Sequence, residues 1–310
     1  MPDLRVAVVG VGGIARRVHI PTLVAMPECK LTTLVDINTT VLAQVAGQFN
    51  VPRRFASVDE FLAKPEVDCA FVVTGPDAHA GPVVSLLRAG LDVFCEKPLA
   101  RNLKDVRAMV QATADADRLL MAGFNRRFMP VYNAAKDAFA DRQLELLSIE
   151  KNKGGNEYRA LVSDGIHMVD AMRWYCGEPV EVRAWSRCAE DEMHEETIVA
   201  NIRFDSGALG ILAIHRNGGK WLEKAELYGE GCTAIVDAAD HAYIASGGRE
   251  EVVSVGAWSS LADRLGFTQE FQHFLECVRE RKTPINDGAD ALRTHELVSE
   301  IYARAGLPPL

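Results

Sequence analysis

Residues 1–122 repeat one pattern: a short, mostly apolar run closes on a glycine, a threonine or an acid, and a segment of helical period follows. The apolar runs predict strands at Arg5–Val9, Lys30–Asp36, Arg53–Ala56, Val67–Thr74, Leu91–Cys95 and Leu119–Ala122. The intervening segments predict helices after the first strand and at Thr39–Gln48, Val58–Ala63, His79–Ala89 and Leu103–Ala116. Strands alternating with helices, with apolar residues at nearly every strand position, predict a doubly wound parallel sheet covered on both faces.

Beyond Gly123 the pattern changes to period two over longer stretches, which predicts an antiparallel, half-covered sheet. The strands are expected at Leu144–Lys151, Val180–Cys188, Glu195–Phe204, Ala208–His215, Lys224–Gly229 and Cys232–Val236. Helices are expected at Met129–Phe139, Gly165–Cys176, Thr268–Arg281 and Ala289–Ala305. The chain is therefore expected to be α/β, with a doubly wound domain at 1–122 and a second α/β domain at 123–310. No flexible linker separates them, so a cleft is expected where they pack.

The most informative turn follows the first strand. Gly10-Val11-Gly12-Gly13-Ile14-Ala15 has the G-x-G-x-x-A spacing that opens a helix beneath a dinucleotide pyrophosphate. Gly10 permits the tight turn, Gly12 lets the backbone approach phosphate, and Ala15 lets the helix pack on the strand. Asp36 ends the second strand 21 residues after Ala15, where a carboxylate can accept both ribose hydroxyls. Its charge would repel a 2′-phosphate, and neither Ile37 nor Asn38 is an arginine able to receive one, so NAD is expected over NADP.

Composition excludes several classes. At 310 residues the chain suits two domains, and with 48% hydrophobic and 25% charged residues it is an ordinary globular composition. A formal charge of -9 without clustered Lys and Arg argues against nucleic acid as a partner. Seven scattered cysteines, with no C-x-x-C, argue against a zinc site and a disulfide framework, so no metal is expected. The first strand starts within five residues of Met1 and no apolar run reaches membrane-spanning length, so a cytoplasmic protein without a membrane partner is expected.

Strand ends in a doubly wound sheet face the ligand crevice, so the loops after them carry the candidate chemistry. Thr74-Gly75-Pro76-Asp77-Ala78-His79 follows the fourth strand and suits the nicotinamide-ribose side, or Asp77 simply caps a helix. Cys95-Glu96-Lys97-Pro98 follows the fifth; Lys97 is either aimed into the cleft or solvated. In the second domain, a helix starting with Asp164 as N-cap puts His167 in its first turn, beside Ser163 and Asp170. There the positive helix end favours a neutral imidazole able to take a proton, with Asp170 to orient it. The plainer alternative makes Asp170 the partner of Arg173 or Arg126. Gly123-Phe124-Asn125-Arg126-Arg127-Phe128 offers an arginine to cofactor or substrate, or to a surface acid. Lys151, Lys153 and His215-Arg216 end strands that can reach a polar or anionic substrate.

Taken together, Val9 to Ala15, Val35-Asp36, Glu96-Lys97-Pro98, Gly123 to Phe128 and Asp164 to Asp170 resemble the Gfo/Idh/MocA oxidoreductase family, most closely its MviM-like branch. The resemblance spans more than half the chain. It implies an NAD(P)-dependent dehydrogenase or reductase acting on a secondary alcohol or ketone of a sugar, cyclitol or related polyol. It further implies a Rossmann domain at 1–122, a substrate-binding and oligomerisation domain at 123–310 with a large, mainly antiparallel open sheet, a homodimer or homotetramer, and Lys97 and His167 as the proton-handling pair; Asp164 or Asp170 is expected to orient His167. Cofactor contacts are expected from Gly10, Gly12, Gly13, Ile14, Asp36, Thr74, His79, Glu96, Lys97 and Arg126. Many members carry an acid four residues before the histidine, where this chain has Ser163. That departure suits the alternative of a dinucleotide-binding regulator or scaffold without turnover. The usual T-P-N after the fourth strand is also altered, to Thr74-Gly75-Pro76.

Overall fold

The computed structural model describes residues 3–155, 158–189, 191–237, 239–256 and 258–310. The chain divides into two compact units: residues up to Phe124 together with Phe267–Leu292, and Asn125–Gly266 together with Arg293–Leu310.

The first unit is built on six parallel strands, β1 (Leu4–Val9), β2 (Cys29–Val35), β3 (Arg53–Phe55), β4 (Cys69–Val72), β5 (Asp92–Cys95) and β6 (Leu120–Ala122), in the order β3-β2-β1-β4-β5-β6. The order reverses between β1 and β4, which makes the ends of those two strands the switch point where doubly wound sheets bind ligands. Crossover helices are α1 (Ile20–Ala25), α2 (Thr39–Phe49), α3 (Val58–Leu62), α4 (Ala80–Arg88) and α5 (Leu103–Ala116). Side-chain oxygens of Asn38, Ser57 and Asn102 cap α2, α3 and α5.

The expected boundary near residue 122 needs one correction, because the helix predicted at Thr268–Arg281 does not stay with the second domain. It forms α9 (Phe267–Glu280), which carries Phe267, Phe271, Phe274 and Leu275 on one buried stripe. Phe271 and Phe274 meet Phe71 of β4 edge-on, at centroid distances of 5.0 and 5.3 Å, and both also pack on Phe94 of β5. Past α9 the chain adds to the sheet edge: the backbones of Ala122 and Asn286 are hydrogen bonded and Arg281 pairs with Asp92 at 2.6 Å.

The second unit has eight strands, β7 (Leu146–Gly154), β8 (Pro179–Cys188), β9 (Glu195–Phe204), β10 (Leu209–His215), β11 (Asn217–Gly229), β12 (Cys232–Asp237), β13 (His241–Ser246) and β14 (Arg249–Ser254). Their order is β14-β13-β12-β11-β7-β10-β9-β8, and every pair is antiparallel except β7 with β10. The hairpin β13–β14 was not anticipated, although Gly247 and Gly248 at φ 60° and 75° make the turn such hairpins favour. The unit also holds α6 (Pro130–Asp137), α7 (Ile166–Cys176), the short α8 (Leu261–Arg264) and most of α10 (Gly288–Arg304).

Helix α7 lies on one face of the sheet, buried from Ile166 through Arg173. Small residues set how close it sits: a Cβ on Gly165 would stand 3.2 Å from Ile214, and one on Gly210 would collide with the Met172 methyl. The opposite sheet face keeps Trp185, Leu209, Ile211, Tyr243 and Val252 exposed. Among the described residues no helix is long and apolar enough to cross a membrane.

Candidate dinucleotide site and proton-handling residues

The glycine turn behaves as its sequence requires. Gly10 adopts φ 94°, and a Cβ there would stand 2.8 Å from the backbone nitrogen of Thr74 at the end of β4. Gly12 and Gly13 are different, since an added Cβ on Gly12 meets no protein atom within 4 Å and one on Gly13 touches only the end of Arg17. Both line a cavity of about 720 Å³ together with Ile14, Asp36, Ser57, Thr74 and Gly75. The Asp36 carboxylate is fixed by two backbone donors, the N–H of Val11 to Oδ2 and the N–H of Asn38 to Oδ1, each at 2.8 Å. A bare backbone facing open space beside an oriented carboxylate suits a dinucleotide: phosphate oxygens against the turn and the start of the helix, ribose hydroxyls against Asp36.

The helix that leaves this turn contains a π segment over Ala15–His19, closed by the N–H of Ile20 on the carbonyl of Ala15, and continues as α1. His19 is fully buried at its end, with Nε2 2.9 Å from Oε1 of Glu96. Glu96 is 8% exposed, and its Oε2 accepts the backbone N–H of Lys97 at 3.0 Å. Lys97 begins the loop after β5, and the Lys97–Pro98 bond is cis. His79 is buried with Nδ1 2.9 Å from the Pro98 carbonyl and Nε2 2.9 Å from the Thr74 carbonyl. Of the expected cofactor residues in this unit, Gly10, Gly12, Gly13, Ile14, Asp36 and Thr74 line the cavity. Glu96, Lys97 and His79 are not among the residues that line it; Glu96 and His79 bind protein groups.

In the second unit Asp164 is not an N-cap. The helical path runs as a π turn through Leu161–Gly165 and continues directly into α7, so His167 lies beyond the first turn and the helix-end argument for it does not apply. Buried polar groups hold this turn. Oε1 of Glu195 accepts from the Leu161 N–H at 2.9 Å and the Tyr302 hydroxyl at 2.6 Å, and the Arg159 guanidinium stacks 4.0 Å over the Tyr302 ring. Burial raises the Glu195 carboxyl above its usual range despite those donors. His167 is 4% exposed. Three residues earlier, Asp164 is met by Lys151 at 3.1 Å, Arg216 at 3.1 Å and Lys153 at 3.3 Å. Burial brings the Arg216 guanidinium down to about 10, so it stays charged at neutral pH.

The Asp170 carboxylate binds Arg127, a partner the sequence reading did not name, in a bidentate pair at 2.7 and 2.8 Å and accepts the Thr294 hydroxyl at 3.1 Å. Arg173 pairs with Glu178. Arg126, expected on the cofactor, is bidentate to Glu223 at 2.7 and 2.9 Å and donates its remaining nitrogen to Asn125 at 2.9 Å. Glu223 is 1% exposed and also binds Lys151 at 3.1 Å and the Tyr132 hydroxyl at 3.0 Å. Burial alone would raise its carboxyl, but the Arg126 and Lys151 charges hold it far below the usual range. Sequence reasoning passed over Glu223, yet a signal existed. Glu223 shares strand parity with Ala225 and Leu227, as Lys151 does with Leu147 and Ile149, so two opposite charges sit on core-facing positions of neighbouring strands.

Two family models match the chain: "Oxidoreductase family, NAD-binding Rossmann fold" over residues 4–124, and "GFO/IDH/MocA C-terminal domain" over residues 148–235. The chain belongs to the Gfo/Idh/MocA oxidoreductase family. Its first unit is accordingly an NAD-binding Rossmann domain, the fold and cofactor expected from sequence. Among relatives, YceM of Salmonella typhimurium is 27% identical over 98% of this chain and 99% of that protein. Myo-inositol 2-dehydrogenase of Thermotoga maritima is 30% identical over 67% of each. The crystal structure of the dehydrogenase MviM from Clostridium difficile has the same fold, with a TM-score of 0.88 at 23% identity over 97% of this chain and 99% of that one.

Proposed function

We propose that this family member is an NAD-dependent dehydrogenase or reductase acting on a secondary alcohol or ketone of a sugar, cyclitol or related polyol. The observation that carries the reading is the cavity between the glycine turn and the doubly anchored Asp36 carboxylate, with Lys97 in the loop that follows a neighbouring strand. The likeness to a myo-inositol 2-dehydrogenase supports the substrate class.

Bound NAD supplies the hydride acceptor. Gly10, Gly12, Gly13, Ile14, Asp36 and Thr74 bind it, while Lys97 and His167 handle the proton. In the oxidising direction His167 accepts the hydroxyl proton, and the ammonium of Lys97 stabilises the negative charge that grows on the substrate oxygen. Asp164, held among Lys151, Lys153 and Arg216, fixes the segment that leads into His167.

The exposed sheet face is the surface on which we place a second copy of the chain. Cross-strand register puts Trp185 opposite Val199 and Ala213, and Tyr243 opposite Ile235 and Val252, so these apolar side chains share one face. Exposed apolar side chains gathered on one sheet face are ordinarily covered. Seven free cysteines, six of them buried, suit the reducing cytoplasm.

The deciding experiment is NAD⁺ reduction followed by absorbance, with a panel of inositols, aldoses and sugar acids, run in reverse with their ketones. NADH formation with a polyol is the expected outcome. NADH binding without turnover of any panel member in either direction would remove the proposed substrate class.

A further inference from the structure

The loop that carries Lys97 is held from both sides by buried histidines, and the two holds differ in kind. On the far side His79 is wedged between the carbonyls of Pro98 and Thr74, and Arg101 pairs with Asp77 at 2.6 Å, so the loop after Lys97 is tied to the loop after β4. On the near side the hold is Glu96. One of its oxygens binds the Lys97 backbone and the other binds His19, which belongs to the helix that starts in the glycine turn.

Local structure explains how His19 reaches Glu96. A π turn takes one more residue to close its hydrogen-bonded ring than an α turn, which rotates the residues after it about the helix axis. His19 is the last residue of this π segment, and its ring packs against Phe94, Phe267 and Phe271 at centroid distances of 6.2, 5.7 and 5.1 Å. Gly123 leaves the room that Glu96 needs, since a Cβ there would stand 3.3 Å from Oε2 and 3.2 Å from the Phe94 ring. A buried carboxylate must find partners for both oxygens, and Glu96 finds them in the protein.

We propose that the His19–Glu96 pair is a positioning device that couples the dinucleotide-binding helix to the backbone of Lys97, so that cofactor at the glycine turn sets the orientation of the Lys97 amine. The inference rests on the reading of Lys97 as a proton-handling residue. Burial would raise the Glu96 carboxyl, but the close contact of His19 and the Lys97 ammonium and backbone N–H outweigh it and hold the carboxyl below its usual range. Glu96 is then a link between two protein groups and not a contact to ribose.

The test follows the amine itself. In the full-length protein, Lys97 is modified with trinitrobenzenesulfonate, with and without saturating NADH, and the labelled peptide is quantified by mass spectrometry. NADH dissociation constants are measured by fluorescence on the same samples. In the wild type NADH should change the labelling rate by about fivefold or more, and in Glu96→Gln by less than about twofold with NADH affinity within about threefold of wild type. His19→Gln keeps an N–H donor for Glu96 and should retain the response; His19→Phe fills the space without a donor and should lose it. These two variants decide the matter if Glu96→Gln does not fold. An NADH affinity about tenfold weaker in Glu96→Gln would make Glu96 a cofactor ligand and overturn the proposal. A wild type without a response, or a response unchanged in Glu96→Gln and His19→Phe, would overturn it as well. No substrate enters these measurements, so they stand whether or not the polyol panel is turned over.

Discussion

Oδ2 of Asp36 accepts the backbone N–H of Val11 at 2.8 Å, which ties the end of β2 to the turn that follows β1. The same carboxylate is the expected acceptor for the ribose hydroxyls, so one side chain both shapes the turn and reads the cofactor. Asp36→Ala should raise the NADH dissociation constant about 10- to 100-fold, the cost of a lost charge-assisted hydrogen bond, and narrow the gap to NADPH. Fluorescence titration with both dinucleotides checks this. Tighter NADPH than NADH binding in the wild type would reverse the assignment of cofactor preference.

Lys97→Met and His167→Ala should each cut turnover about 10²-fold or more while NADH affinity stays within a few-fold of wild type. Steady-state rates, paired with NADH titration, test both together. Unchanged turnover in either variant takes that residue out of the mechanism.

Gly10→Ala should destabilise the Rossmann unit by about 2–4 kcal/mol, because it forces a side chain into φ 94° and against the backbone of Thr74 at 2.8 Å. Gly12→Ala meets no protein atom and should leave stability nearly unchanged while weakening NADH. Urea unfolding and NADH titration of the pair separate a glycine needed for the turn from one needed for the ligand.

Glu223 gives a pH dependence of known sign. Its carboxyl lies far below the usual range in the folded chain because Arg126 and Lys151 outweigh its burial. The unfolded chain therefore binds the proton first as pH falls. The stability contributed by Glu223 is present above the ordinary glutamate pKa, near 4.5, and drains away as pH drops below it towards the folded value. Glu223→Gln should be less stable than wild type at pH 7 and should lose less stability between pH 5 and pH 3. Urea midpoints across that range measure the difference; parallel curves would show that the pair does not carry it.

Ile211 lies on the exposed sheet face, opposite Asn201 on one side and Ser148 on the other. If a second copy covers this face, Ile211→Glu should leave a folded, monomeric protein, read by light scattering on a sizing column. A wild type that is monomeric at micromolar concentration would end the assignment.

Most strands of the first unit were legible because they are largely apolar runs closed by a loop residue, and Gly10 and Asp36 carry conformational and charge signals that need no tertiary information. The second unit was less legible where glycines mislead. Asn217-Gly218-Gly219 looks like a strand breaker but starts β11, and Gly247-Gly248 hid a hairpin between two short, weakly apolar strands. The π turn before His167 was invisible for another reason. Glu195 and Tyr302, which satisfy its backbone N–H groups, lie 34 and 140 residues from Leu161 and Val162, so nothing local announced it. The partners of Arg126 and Asp170 escaped in the same way, since each is set by strand register or by packing that composition does not encode.

The return of α9 to the sheet of the first unit has a consequence for how the chain is made. When the ribosome has finished residue 124, Phe71 and Phe94 still lack Phe271 and Phe274, and the buried ring of His19 lacks Phe267. The aromatic packing of the dinucleotide domain is completed only when nearly the whole polypeptide has emerged. A truncation at the apparent end of the glycine-rich half would expose that aromatic surface, and a stable NAD-binding fragment has to be assembled with residues 267–292 joined back on.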